Sequence, residues 1–392
     1  MAQKVYTLTP LTGVHIGTGE ELTPLDYKIA SGVKDLDFKK QTYIKFSSDR
    51  ILQRLISEKN QQAMAAFERA SVNGNMKELQ KFFQDNCEYK NDTDYPCDIT
   101  KGFYTTYNAN LNKDPHQNEA RVSQMYHIAG KPQPVIPGSS IKGSIRTALL
   151  NTILAGLSDE IHDRMEDDFN NEKNAGRFEE RVQKYLLNYS DAKEDPLRAL
   201  LIPDCNFKIS GTQIVGNLRI VSLDKNEGCL GSVGTQLQAE VLRGTLLDGK
   251  AVSDIAVEIN NNLQKTPIND KYMKTISFED IRKGCNYFYW REFQKEYDNF
   301  YKDVSDGTES LIVKLKSMLE KAVNTENQFI LRVGRWSQVE FVTFEETFRK
   351  PETKKDKFGK PLGYGATRTL FDYDGKYVPM GWCVLSEKEE KQ

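Results

Sequence analysis

Three glycine-bearing runs hold the side chains best suited to chemistry, and the chemistry they suit is the holding of anions. The first is Thr12-Gly13-Val14-His15-Ile16-Gly17-Thr18-Gly19. Glycines let the backbone turn sharply and let a ligand approach it closely. Exposed N–H groups and the Thr18 hydroxyl suit a phosphate there, while His15 suits an RNA contact or the part of a general base. The same run also reads as a strand-to-strand turn with His15 packed inside. The second run is Pro137-Gly138-Ser139-Ser140-Ile141-Lys142-Gly143-Ser144-Ile145-Arg146. A helix that begins here presents unpaired N–H groups, which favour anions. Ser139 or Ser140 is placed to cap it or to donate to phosphate, and Lys142 and Arg146, four apart, share one face. It is not a Walker A loop, because Lys142 precedes Gly143. A plain capped helix with two solvated cations is the alternative.

The third run, Lys360-Pro361-Leu362-Gly363-Tyr364-Gly365-Ala366-Thr367-Arg368, follows a lysine-rich segment over 349–357. Closely spaced cations, a glycine loop and the Tyr364 ring are what a phosphate backbone and a stacked base would meet. A solvated charged loop is the alternative. Tyr287-Phe288-Tyr289-Trp290, with Phe293 and Tyr297, has helical spacing and reads as packing more than as a stacking platform. Asp167-Asp168 reads as part of a solvated face. With no nucleophile elbow and no HExxH pattern, no catalytic residue is assigned.

The elements that carry these runs follow from periodicity. Val5, Thr7 and Thr9 alternate with Tyr6 and Leu8 up to Pro10, a strand, and residues 26–29 begin another beyond the first glycine loop. Ile51, Leu52, Leu55 and Ile56, then Leu79, Phe82 and Phe83, recur at helical spacing. Residues 87–130, rich in Asn, Asp and Tyr, read as a long insertion or loop. Ile141, Ile145, Ala148, Leu149 and Ile153 give the second run a helical apolar face, and a charged helical stretch covers 158–188. Residues 200–260 are strand-like, with Gly211, Gly216, Gly228, Gly231 and Gly234 at turns, and 278–324 is helical. Segments 329–333, 339–344 and 380–385 read as strands between loops. Without a fixed-period repeat, this pattern predicts an α+β fold: two domains, 1–205 and 206–392, each an antiparallel sheet with helices on one face.

Composition narrows the class. With 38% hydrophobic and 28% charged residues the 392-residue chain reads as globular, not fibrous or disordered. A formal net charge of −2 means that any nucleic-acid surface must be local. No apolar run approaches the roughly 18 residues of a membrane span, and the first residues lack a signal-peptide pattern. A cytoplasmic protein with reduced thiols is expected. Cys87, Cys97, Cys205, Cys229, Cys285 and Cys383 show no close metal-ligand pairing, and His15, His116, His127 and His162 are far apart, so no metal site is expected.

The order of the motifs is more informative than any one of them. A strand followed by TGVHIGTGEELTPLDYKI, a mid-chain IPGSSIKGSIRTALL, and a late LGYGATR followed by PMGW resemble the RAMP superfamily of CRISPR-associated proteins. More narrowly, they resemble the family of fifth Csm subunits of type III-A (Csm) effector complexes. The resemblance is clear over residues 5–30, 134–155 and 360–385 and faint over the helical blocks and 87–130. It implies two ferredoxin-like (RRM-like) domains with helical insertions and glycine-rich loops, and a non-catalytic crRNA-binding subunit at the crRNA 3′ end of the filament. Such a subunit would support crRNA maturation, complex assembly and target RNA binding in antiviral defence, with no cofactor. Its implied partners are crRNA, target RNA, neighbouring Csm backbone subunits and recruited host nucleases, without a membrane. Carried onto this sequence, the RNA-facing residues are His15, Gly17, Ser139, Ser140, Lys142, Arg146, Tyr364 and Arg368. The aspartate by which related backbone subunits are thought to cut RNA has no assignable equivalent, although Asp26 and Asp35 lie nearby. The rival reading is a RAMP endoribonuclease that processes precursor crRNA with His15 as general acid or base.

Overall fold

The structure, a computed structural model, describes residues 2–31, 41–113, 120–128, 131–169, 175–208, 212–224, 229–232, 236–264, 267–268, 275–305, 307–344 and 367–389. One sheet has five strands: β1 (Ala2–Pro10), β8 (Leu200–Leu201), β13 (Ser253–Ile259), β14 (Gln328–Arg332) and β17 (Trp382–Glu387). Their order is β14-β17-β1-β13-β8, and every neighbouring pair is antiparallel. Alternation gives β1 one inner face: Tyr6, Leu8 and Pro10 are buried and Val5 is exposed. On that face lie helices α6 (Gly138–Ala155) and α9 (Phe278–Glu296), with α10 (Glu309–Val323) following. Ile141, Ile145 and Leu149 of α6 and Ile281, Cys285 and Phe288 of α9 share a core with Tyr6, Leu8 and Leu385. The β1-α6-β8-β13-α9-β17 string, with β13 between β1 and β8, is the split β-α-β-β-α-β arrangement of ferredoxin-like folds. β14 extends its edge.

The second sheet has ten strands. Its path runs β2 (Gly17–Leu22), β6 (Val122–Met125), β12 (Leu237–Leu242), β10 (Gln213–Asp224), β5 (Thr93–Ile99), β4 (Thr42–Phe46), β3 (Tyr27–Ala30). The long β10 also pairs with β11 (Cys229–Ser232) and β15 (Arg368–Tyr373), and β15 pairs with β16 (Lys376–Pro379). This sheet is mixed, because β5 runs parallel to β10 and β6 parallel to β12. A two-stranded sheet, β7 (Val135–Ile136) with β9 (Cys205–Asn206), leads into α6. Helices α1 (Ser48–Ser57), α2 (Gln61–Val72) and α3 (Met76–Asn86) close a satellite core of Phe46, Ile51, Leu55, Phe82 and Phe83. The short α4 (Tyr89–Asp92) and α5 (Lys101–Asn110) follow, and α7 (Asp159–Phe169) and α8 (Ala175–Leu186) divide the charged stretch.

Several expectations change here. The described residues of 87–130 are not one loop: β5 runs through the ten-stranded sheet, with Tyr95 and Cys97 buried. Asp94, Pro96 and Asp98 on the alternate positions hide the strand signal, because Asp and Pro are poor strand formers. Segment 339–344 contains a 3₁₀ turn (Val339–Phe341) in place of a strand, since Gln338 enters it with φ +66°. The boundary expected at residue 205 does not part the sheets. β1 pairs with β13 and β17, and β5 with β10, so each large sheet takes strands from both sides of it.

Candidate nucleic-acid interface

The N-terminus of α6 has no cap from its own N-cap side chain. Pro137 is the N-cap residue, and the first helical amide, Gly138 N–H, donates to Asp204 Oδ1 at 2.8 Å. Asp204 thus does the capping expected of Ser139 or Ser140. Gly138 is required because a Cβ there would run into the Ile202 carbonyl. With capping done elsewhere, Ser139 is exposed and Ser140 half-buried. Beside the apolar row, α6 carries two polar rows, and each lines a cleft.

The first cleft, about 450 Å³, lies between Ile16–Gly17, the Ser140-Gly143-Ser144-Thr147 row, and a loop with Gly334, Arg335 and Ser337. The loop is tied directly to the first glycine run: Arg335 N–H donates to the His15 carbonyl at 2.9 Å. Gly334 has φ +88°, and a Cβ there would lie 2.5 Å from that same carbonyl oxygen, so only glycine fits. Trp336 at φ +64° and Gln338 at φ +66° are also left-handed. Such backbone strain, about 1–3 kcal/mol per residue, persists only where surrounding structure enforces it and gathers at functional sites. The Trp336 indole packs at a tilt of 38° against the buried His15 ring, with centroids 4.8 Å apart. Arg335 is exposed, lies over the Trp336 ring at 4.9 Å, and forms no ion pair among the described residues. The lining offers hydroxyls, glycine backbone, this guanidinium and that of Arg332, which is paired with Glu296, beside the apolar Ile16, Phe341 and Val342, with no carboxylate. That set suits a phosphate.

The second cleft, about 680 Å³, has Ser139 and Lys142 on one wall and Leu201, Ile202 and Glu258 on the other. Lys142 is half-buried, and desolvation lowers its pKa from the usual lysine range. Arg146 turns to a protein partner, since its guanidinium pairs with Asp195 and reaches Gln183 Oε1 at 3.5 Å.

The remaining candidates separate. His15 is fully buried. Its Nδ1 lies 2.7 Å from the Glu240 carbonyl, which only accepts, so Nδ1 carries the proton. Burial lowers its pKa to about 4, leaving a neutral ring whose Nε2 is enclosed and unpartnered. With its one proton held on Nδ1 by the Glu240 carbonyl, Nε2 has none to give as a general acid at pH 7; His15 packs inside the fold, and Gly17 lines the cleft. Arg368 is not on a binding loop. It is buried at the start of β15, pairing with Glu296 (2.8 Å) and Glu340 (3.2 Å). Glu296 also pairs with the fully buried Arg332 at 3.0 Å. Tyr364, the lysine-rich segment and Asp35 lie outside the described residues. The Tyr287 cluster behaves as its spacing predicted: Phe288, Tyr289 and Phe293 are core, and Tyr287 is half-exposed. Among the described residues, no three His, Cys, Asp or Glu side chains gather as metal ligands would, and no helix is long and apolar enough to cross a membrane.

The loop at Gly334–Gln338 was missed by the sequence reading. Its signal was available: an apolar strand running straight into Val333-Gly334-Arg335, the same strand-to-glycine transition as in the first run.

A split β-α-β-β-α-β sheet whose glycine loops meet at a helix N-terminus defines an α+β protein of the ferredoxin-like kind. The particular family follows from the sequence: the chain matches the model of the RAMP superfamily over residues 7–338 and belongs to that superfamily. Its fold is shared by solved structures, two among them at low identity. A chain of the "Csm-crRNA-target RNA ternary complex in type III-A CRISPR-Cas system" has 18% identity and a TM-score of 0.63, with 98% of this chain and 100% of that chain covered. The T. onnurineus Csm5 crystal structure has 16% identity and a TM-score of 0.60, with 96% and 99% covered. No curated protein sequence matches the chain.

Proposed function

We propose that this chain is a crRNA-binding, non-catalytic subunit of a type III-A CRISPR effector complex, placed at the crRNA 3′ end. There it supports crRNA maturation, assembly with neighbouring Csm subunits and target RNA binding. The observation that carries the reading is the cleft formed by Gly17, the Ser140–Thr147 row of α6 and the Gly334–Ser337 loop. Hydroxyls, glycine backbone and one unpaired guanidinium hold a phosphate without reading a base. One subunit must accept guides of many sequences, and a backbone grip allows that. RAMP membership and the shared fold with a chain of a crRNA-containing complex support the same reading. His15, neutral and enclosed, argues against its use as a general acid.

The test is charge reversal at Arg335, and separately at Lys142, followed by binding of labelled single-stranded RNAs of unrelated sequence over a salt series. Each substitution should weaken all RNAs alike and lower the salt slope by about 1. A loss confined to one sequence would contradict the phosphate grip.

A further inference from the structure

Glu240, fully buried in β12, touches the first wall of the cleft in two ways. Its backbone carbonyl takes the His15 Nδ1–H at 2.7 Å. Its carboxyl accepts the Met125 amide at 3.0 Å through Oε2 and the Tyr95 hydroxyl at 2.8 Å through Oε1. Met125 stands opposite Gly17 across the β2–β6 pair, and the next amide, Tyr126 N–H, donates to the Ile16 carbonyl at 2.7 Å. Ile16 and Gly17 line the cleft. One residue therefore holds the loop by its histidine ring and, through two adjacent amides, by its backbone.

We propose that Glu240 is a positioning residue for the cleft, setting where Ile16 and Gly17 stand, and that a proton gained by its carboxyl loosens this hold and weakens the RNA grip. The proposal rests on the RNA-binding reading above. As a carboxylate, Glu240 accepts from both donors in charge-assisted bonds, the stronger kind. Protonation leaves the Met125 amide a neutral acceptor, and a proton on Oε1 makes the Tyr95 hydroxyl turn from donor to acceptor. The titratable and charged groups around it are Tyr95 and Cys97 from β5, Tyr43 and Lys45 from β4, and His15 from the loop. His127 packs at a tilt against the Tyr95 ring. Burial pushes the Glu240 carboxyl up to about 7, against the Met125 amide and the Tyr95 hydroxyl, which lower it. The exchange thus falls near neutrality.

The experiment compares full-length wild type with Glu240→Gln, which keeps the shape and mimics the protonated acid. RNA affinity is measured at fixed salt, from below about pH 6 to above about pH 8. The ratio of wild-type to variant affinity should be near one at the acid end and rise roughly fivefold at the alkaline end. The ratio cancels every other titration, so a flat ratio overturns the proposal. Tyr95→Phe removes a contact that holds the carboxyl down and should move the midpoint to higher pH; an unmoved midpoint assigns it to another group and also overturns the proposal. In RNA-free protein, Trp336 emission (wild type minus Trp336→Phe) should show the same step, absent in Glu240→Gln. A step without RNA binding at any pH would sink the RNA-binding reading, and the claimed effect on affinity with it. Binding without a step would sink the positioning role alone.

Discussion

His15 and Glu240 titrate in opposite senses, and that gives the molecule a testable pH signature. The folded pKa of His15 lies near 4, below the unfolded value of 6.5, so its contribution is present above 6.5 and is lost as pH falls toward 4. The folded pKa of Glu240 lies near 7, above its unfolded 4.5, so its contribution is present below 4.5 and is lost as pH rises through 7. Each spans about 3 kcal/mol, so the two slopes nearly cancel in the wild type between about pH 4.5 and 6.5. Denaturant melts of Glu240→Gln should lose stability with falling pH over that window, and those of His15→Gln should gain it; parallel profiles in all three proteins would refute the assignment. A second prediction separates binding from folding. Arg368→Ala should cost about 3–5 kcal/mol, because it takes one of two arginine partners from the buried Glu296, whereas Arg335→Ala should leave the melting temperature nearly unchanged. Residue types were legible in the sequence, but their surroundings were not. An arginine beside a glycine loop reads the same whether it meets solvent, like Arg335, or two carboxylates, like Arg368.

Elements were most legible where periodicity was strong. The apolar face of α6, the helical aromatic run of α9 and the alternation in β1 all stand where the spacing places them. β5 was hidden by aspartates whose partners, Lys45, Arg50 and Arg243, come from distant segments. The Gly334–Gln338 loop was hidden because its conformation is set by the His15 backbone, more than 300 residues earlier in the chain. At this scale the glycine is the point of failure. Gly334→Ala forces a Cβ against the His15 carbonyl at φ +88° and should cost about 2 kcal/mol or more in thermal melts. RNA affinity should fall with it, since two walls of the cleft meet at that contact. A variant of unchanged stability would show that the two loops do not meet there.

For the whole molecule, the first and last strands meet: β1 lies between β13 and β17. A sequential reading gives each half its own sheet, and local patterns carry no information on pairings some 250 residues apart, such as Tyr6 with Ile255. A chain ending at residue 381 loses an interior strand of the five-stranded sheet and should show no cooperative melt; a sharp transition in that truncation would contradict the topology. RAMP membership was legible in the first two glycine runs, which lie within the residues 7–338 that match the family model, whereas the third run lies beyond them. On the proposed function, the chain grips RNA by its phosphates and leaves it intact. The most direct measurement mixes the purified chain with labelled crRNA across a salt series, with and without divalent metal, and reads binding and cleavage from the same samples. Salt-sensitive binding of RNA that stays full-length under every condition is the predicted result, and cleavage that disappears in His15→Ala would contradict it.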